Sequence, residues 1–371
     1  MSGSQPGTRK NTIGTWVEDQ GGRFIGFWHS GGVMAGDTIL VTGGAGYIGS
    51  HACKALAQAG YAPVVYDDLS NGHAEAVRWG PLVRGDVRDA DRLATTMRDH
   101  DVSGVIHFAG LIEVGRSVHR PDLYWDCNVN GVAAVLAAMR AADVRRLIFS
   151  STAAVYGTPA GPGPIRETDP LSPINPYGDS KLAGERMIAA HCAAFGLEGV
   201  ALRYFNASGA DMDGELGEAH DPETHLIPLA IEAALSGATA LTVFGADFPT
   251  PDGSCVRDYV HVADLARAHV LALGLDVGPG GFEAMNLGRG RGTSVLEVIE
   301  AVRRACGRSP AYAVGARRAG DPPVLVANPE RATRRLGWRP EVTDFQTIVD
   351  TAVAWRQARR FAHPEPLPSV A

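Results

Sequence analysis

Tyr177 and Lys181 stand four residues apart in PYGDSK, at the head of a stretch that reads as helix, so both side chains share one face, one turn apart. A free phenol titrates near ~10, too high for a base at neutral pH. A lysine cation beside it favours phenolate and makes the pair a usable base. The same spacing also occurs on ordinary amphipathic helices. Upstream lies SSTAAVYG, residues 150–157, where three hydroxyls end an apolar strand. Ser150 and Ser151 suit a structural role at the strand end. Ala153 and Ala154 follow, and neither can do acid–base work. Small side chains there also suit tight helix–strand packing.

These groups need elements to hold them and a partner to act with. The turn GGAGYIG, Gly43 to Gly49, sits between the strand TILVT and the helical HACKALAQAG, and PVVY then leads to Asp67. Glycines at this spacing let the backbone approach a pyrophosphate seated on a helix N-terminus. A carboxylate closing the second strand accepts from ribose hydroxyls and repels a 2′-phosphate, which favours NAD over NADP. An oxidised nicotinamide would then add positive charge near Tyr177. Asp86, after the strand-like LVRG, reads either as an adenine contact or as a solvated loop acid.

Strand-like VIHFAG, RLIFSS and VALRYF continue the alternation, separated by helical stretches such as Leu123 to Ala142. The pattern predicts an α/β fold, a doubly wound parallel sheet of Rossmann type, with a smaller C-terminal α/β domain. We place the NAD-binding domain at 37–205 and the substrate domain at 206–371, with a segment near 257–290 returning to the first. Residues 1–36 are Gly-rich and polar, with Glu18 and Asp19 mid-segment, and are expected to be a disordered extension. Met34 stands just before the first strand, so this segment reads as an upstream start the fold does not need; a docking arm using Trp16 and Trp28 is the other reading.

The chain has 371 residues and a formal net charge of -7, which gives no basic field for nucleic acid or an anionic membrane. Anions must be held by local cations. Apolar runs such as VAAVLAAM are far short of the ~20 residues that span a bilayer. Five cysteines without a CxxC suggest a reducing cytoplasm, and His191 and His269 lack metal-site spacing, so no metal is expected.

TGGAGYIGSH, HFAG, NVNG, IFSSTAAVYG, YGDSK, LRYFNASGA, VRDYVHV and RRAGDPP occur in the order of the extended short-chain dehydrogenase/reductases. Together, over about Thr38 to Trp355, they resemble the UDP-glucose 4-epimerases. The resemblance implies a 4-epimerase of UDP-hexoses, interconverting UDP-glucose and UDP-galactose through a transient 4-keto sugar on retained NAD. Tyr177 would be the base, Lys181 would hold the nicotinamide ribose, and Thr152 would bond the 4-oxygen. Cofactor contacts would come from Gly43, Gly46, Tyr47, Ile48, Gly49, Asp67, Asn71, Asp86, Val87, Phe108, Ala109, Gly110, Asn128, Ser150 and Tyr204. The UDP-sugar would meet Asn206, His225, Leu226, Phe244, Arg257, Tyr259, Arg318 and Asp321 beside the catalytic residues, with Phe205 next to Tyr204.

Related dehydratases carry Asp and Glu where this chain has Ala153 and Ala154, which disfavours dehydration. Ile112 and His225 stand where one branch has lysine and asparagine. Leu325 stands where a tyrosine goes with rejection of N-acetylated sugars, so a preference for UDP-N-acetylhexosamine or for the UDP-arabinose/UDP-xylose pair stays open, as does a non-catalytic NAD/UDP-sugar binding protein. A homodimer through Leu123–Ala142 and Tyr177–Phe195 is implied by the resemblance alone.

Overall fold

Runs of Val, Ile, Leu and Phe bounded by glycine or polar residues become parallel strands, because burial on both faces suits β-branched and large apolar side chains. A computed structural model of the chain describes residues 12–18, 24–29, 33–159, 161, 163–237, 241–318, 321–358 and 361. Strands β1 (Thr12–Glu18) and β2 (Phe24–His29) pair antiparallel. Both lie within the stretch 1–36 and come from runs rich in Thr, Ile, Phe and Trp. Val33, just beyond β2, is buried in the core.

Next come β3 (Thr38–Thr42), β4 (Ala62–Asp67), β5 (Leu82–Arg84), β6 (Val102–His107), β7 (Arg146–Thr152) and β8 (Glu198–Tyr204). The C-terminal half adds β9 (Asn206–Ser208), β10 (Leu241–Phe244), β11 (Val256–Arg257), β12 (Tyr259–His261) and β13 (Phe282–Leu287). Among the described residues the main sheet has seven strands in the order β13-β8-β7-β6-β3-β4-β5. All its pairings are parallel. The strand order reverses between β3 and β6, and a ligand crevice is expected outside the carboxyl ends there.

Helices α1 (Tyr47–Gln58), α2 (Ala90–Asp99), α3 (Val114–His119), α4 (Pro121–Tyr124), α5 (Gly131–Ala141) and α6 (Pro176–Phe195) make the crossovers. Successive residues of β3 serve opposite faces: Leu40 packs with Leu136 and Met139 of α5, whereas Ile39 and Val41 join Cys53 and Leu56 of α1. Each such side chain, once fully buried, contributes about 1.5–3 kcal/mol. The stretch Leu123–Ala142, expected as one helix, is interrupted by a π-type turn at Trp125–Asn130.

After β9 the chain forms α7 (Leu226–Ser236), α8 (Val262–Leu273) and α9 (Val295–Cys306). Helix α8 packs on α1, and β13 lies beside β8, so this part of the chain belongs to the Rossmann sheet. Three short strands, β14 (Thr293–Ser294), β15 (Tyr312–Gly315) and β16 (Val324–Leu325), flank β10 and β11. Helices α10 (Glu330–Leu336) and α11 (Phe345–Ala358) close the chain. A separate apolar core joins α7, α9, α11 and β10.

A polar lock ties α6 to the sheet. Glu185 and Arg203 form an ion pair at 2.6 Å, with side chains only 4% and 5% exposed. Ser151 donates to Glu185 Oε1 at 2.5 Å, Arg203 donates to the Tyr156 hydroxyl at 2.9 Å, and that hydroxyl donates to Asn286 Oδ1 at 2.7 Å. One network thus touches α6, β7, β8 and β13.

Candidate active site

Asn175 caps α6 by accepting the Gly178 amide at 2.9 Å, and Pro176 occupies the first turn, where its missing N–H costs nothing. This sets Tyr177 and Lys181 on the buried face beneath the end of β7. A Cβ on Gly178 would lie 2.7 Å from the Ala154 carbonyl, so helix and turn touch backbone to backbone. The small residues after Thr152 are packing residues here.

Lys181 donates to the Ser150 carbonyl at 3.1 Å and lies 5.1 Å from the centre of the Phe149 ring. Burial brings its pKa down to about 8, so it keeps its proton at neutral pH. Burial also pushes the Tyr177 phenol above its ordinary value, and a hydrogen bond with Thr152 pulls the other way. Desolvation is the larger of these two effects. The Tyr124 ring meets the Tyr177 ring edge-on at 6.4 Å, and Ser150 and Tyr204 share a 2.6 Å hydrogen bond.

The glycine turn fits a dinucleotide on its own geometry. Gly43 has φ +72, and a Cβ there would lie 2.6 Å from the Ala109 amide nitrogen. A Cβ on Gly49 would lie 2.1 Å from the Gly43 carbonyl oxygen. Helix α1 starts at Gly46 without a side-chain cap or an acid in its first turn, so its N-terminal amides are left for an anion. Asp67 accepts from the amides of Ala45 at 3.0 Å and Leu69 at 2.9 Å; burial nonetheless raises its pKa.

A cavity of about 380 Å³ runs along this turn. Its wall includes Gly43, Gly46, Tyr47, Ile48, Gly49, Asp67, Asn71, Val87, Phe108, Ala109, Gly110 and Ser150 among the expected cofactor residues. Thr152, Tyr177, Lys181, Tyr204, Phe205, Asn206 and His225 line it as well.

Other expected positions lie elsewhere. Asn128, in the π-type turn, is spent on the Leu111 backbone and on Ser180, to which it donates at 3.0 Å, so it braces the wall from behind. Asp86 is turned to Arg88, which holds its carboxyl below the usual range. Tyr259 is 4% exposed and packs against Phe345 in the C-terminal core. Leu226 packs on that same core. Arg257, Asp321, Arg318 and Phe244 form their own cluster: Asp321 lies 3.6 Å from Arg257 and 3.2 Å from Arg318, whose guanidinium sits 4.4 Å from the Phe244 ring centre.

Two features escape the sequence reading. Lys54 is held by Asp211 at 2.8 Å, Asp213 at 2.6 Å and Glu215 at 2.9 Å, which pins the loop after β9 to α1. Farther along that loop Glu218, His220, Glu223 and His225 bring their ligating atoms within 4.8 Å of one another, and all but Glu223 line the cavity. The signal was available in EAHDPETH, where five titratable side chains fall within eight positions. Among the described residues no helix is long and apolar enough to cross a membrane.

The model of the NAD dependent epimerase/dehydratase family matches residues 39–288. The chain is 48% identical over 326 residues to a UDP-glucose 4-epimerase of Rhizobium meliloti, covering 88% of this chain and 99% of that protein. Among solved structures it resembles a UDP-glucose 4-epimerase of Brucella ovis in complex with NAD, at 53% identity and a TM-score of 0.83, covering 86% of this chain and 98% of that one. It also resembles a UDP-glucose 4-epimerase of Bifidobacterium longum in complex with NAD+ and UDP, at 37% identity and a TM-score of 0.82, over 87% and 98% of the two chains.

Proposed function

The chain belongs to the NAD dependent epimerase/dehydratase family, and from that premise we propose that it is an NAD-dependent 4-epimerase of UDP-hexoses, interconverting UDP-glucose and UDP-galactose. One observation carries the reading: the glycine cradle and the Thr152, Tyr177 and Lys181 set open onto the same cavity. When bound, NAD supplies the hydride acceptor and donor for C4 and a positive charge near the buried phenol. Tyr177 takes the proton of the 4-hydroxyl and returns it to the 4-oxygen of the keto sugar. Thr152 donates to that oxygen. Lys181, still charged at neutral pH, favours the phenolate through its field. No acid follows Thr152, so a 4-keto sugar has no partner for elimination there.

Arg257 and Arg318 would serve the UDP diphosphate, since a guanidinium fork suits phosphate oxygens. Asp321, between them, would face the uridine ribose, with Phe244 against the base. We further propose a cytoplasmic homodimer. Exposed Val118, Trp125 and Phe195 on and beside helices α3 to α6 support that contact.

The test is incubation of the purified protein with UDP-galactose and no added NAD, followed by separation of the sugar nucleotides. UDP-glucose is expected. No conversion even with NAD supplied would overturn the assignment.

A further inference from the structure

We propose that Glu218, His220, Glu223 and His225 form a binding site for one divalent transition cation of the Zn²⁺ class. The inference stands apart from the epimerase reading, because its test reads binding and not turnover.

The four residues fall within EAHDPETH, on the loop that leads into α7, and their ligand atoms lie within 4.8 Å of one another. A tetrahedral cation with bonds of about 2.0–2.1 Å holds its ligand atoms about 3.3 Å apart. The pairs here bracket that value. Glu218 Oε1 is 2.5 Å from His225 Nδ1 and 3.2 Å from His220 Nδ1, while Glu223 Oε1 is 3.6 Å and 4.0 Å from the same two nitrogens.

Hydrogen bonding does not account for the cluster. His220 Nδ1 and Glu223 Oε2 are buried atoms with no hydrogen-bond partner among the described residues, although His220 Nδ1 faces a carboxylate oxygen. Leaving both unsatisfied is costly, and a cation satisfies both by taking a lone pair from each. The charge agrees as well. The Glu218 and Glu223 side chains are only 8% and 11% exposed, and with two neutral imidazoles they carry the charge that one divalent ion cancels. Two nitrogens among the four donors select a transition cation over Mg²⁺ or Ca²⁺, which take oxygen ligands. Loading replaces the His225–Glu218 hydrogen bond with two bonds to the cation, and the Nδ1 proton leaves to solvent.

The frame around the site is already held. Trp355 Nε1 donates to the Glu218 carbonyl at 3.0 Å, His73 Nε2 donates to the Ala219 carbonyl at 2.7 Å, and the Thr224 and His225 amides donate to Glu223 Oε1 at 2.7 and 2.8 Å. Such outer bonds orient ligands in metal sites. His220 and His225 line the cavity, which gives the ion a way in. Neither His191 nor His269 belongs to the set.

The experiment strips the full-length protein with EDTA, removes the chelator and titrates Zn²⁺ against a chromophoric competitor. Co²⁺ is then loaded in its place and the visible spectrum recorded. Wild type, Glu223→Gln and His225→Asn are compared, with circular dichroism to show that each is folded. The wild type should take up one equivalent of Zn²⁺, and its Co²⁺ form should show the strong d–d absorption of a four-coordinate site without the thiolate charge-transfer band that the free cysteines would give. Each variant should bind about 100-fold more weakly or worse, since it loses a ligand, and even an outer partner costs about 10–100-fold. No equivalent bound by the wild type would overturn the proposal. Unchanged affinity in either folded variant, or thiolate bands in the cobalt spectrum, would also overturn it by showing an adventitious ion only. Should a variant fail to fold, the wild-type stoichiometry and cobalt spectrum decide alone.

Discussion

Glu185→Gln isolates the lock beneath the catalytic strand. The change keeps the shape of the side chain and removes its charge, leaving the Arg203 guanidinium 5% exposed against a neutral amide. Removing one partner of a buried ion pair costs about 3–5 kcal/mol, because the remaining charge stays desolvated. For a chain of this size about 1 kcal/mol corresponds to about 2 °C, so the melting temperature should fall by about 6–10 °C. Ser151, next to Thr152, loses a charged acceptor at the same time. Turnover measured below the transition should drop with the stability, since Thr152 and Tyr177 sit on the two elements the lock joins. The assay is thermal unfolding followed by circular dichroism, with wild type and variant carrying the same NAD content, beside the double variant Glu185→Met, Arg203→Met. The double variant should recover part of the loss, because no buried charge is left unpaired. A fall below about 2 °C for Glu185→Gln would refute the reasoning, since the pair would then hold no more than an exposed one.

Tyr177→Phe should lower turnover by about 10² or more while NAD stays bound, as absorbance of the denatured protein's released cofactor would report; unchanged turnover would remove Tyr177 from the proton path. Gly43→Ala places a Cβ 2.6 Å from the Ala109 amide at a φ of +72, so NAD content after purification should fall steeply, and wild-type content would refute the cradle geometry. Stability should decline as pH falls from 6.5 toward 5. Burial holds the His51, His107 and His269 imidazoles down to about 4, 3 and 4, so the unfolded chain takes up protons that the folded one refuses. Asp258, pushed up to about 6 by burial, works the other way for a single proton. Urea midpoints at pH 7, 6 and 5 test this, and a flat series would contradict it.

The chemistry-bearing end of the site was legible because it is local. Tyr177 and Lys181 need only helical spacing, and the glycine turn needs only its flanking strand and helix. Residues whose roles depend on long-range contacts were harder to read. Tyr259 stands two positions beyond Arg257, yet β12 pairs with β9 and carries the ring into the C-terminal core, a direction no local pattern encodes. Asn128 lies in the π-type turn and accepts from the Leu111 amide, a contact no local pattern announces. The Glu218–His225 contact joins side chains in a loop with no period to read, and only the fold shows that Lys54 anchors its start. Within 1–36 the paired strands β1 and β2 come from two runs that the Gly-rich composition of the segment obscures.

The chain leaves the sheet after Tyr204 and returns only at Phe282, where β13 pairs residue for residue with Gly199 to Tyr204 of β8. During synthesis the strand carrying Arg203 and Tyr204 therefore waits with one edge open until the intervening segment has been made. An open apolar edge is a template for pairing with another chain. A fragment ending at Phe205 would keep the glycine turn, Tyr177 and Lys181, yet it would carry that edge permanently and lack Asn286, the end of the polar lock. The sheet that carries the glycine turn is thus finished by a strand encoded in the C-terminal half, so a chain cut after Phe205 would leave that sheet one strand short.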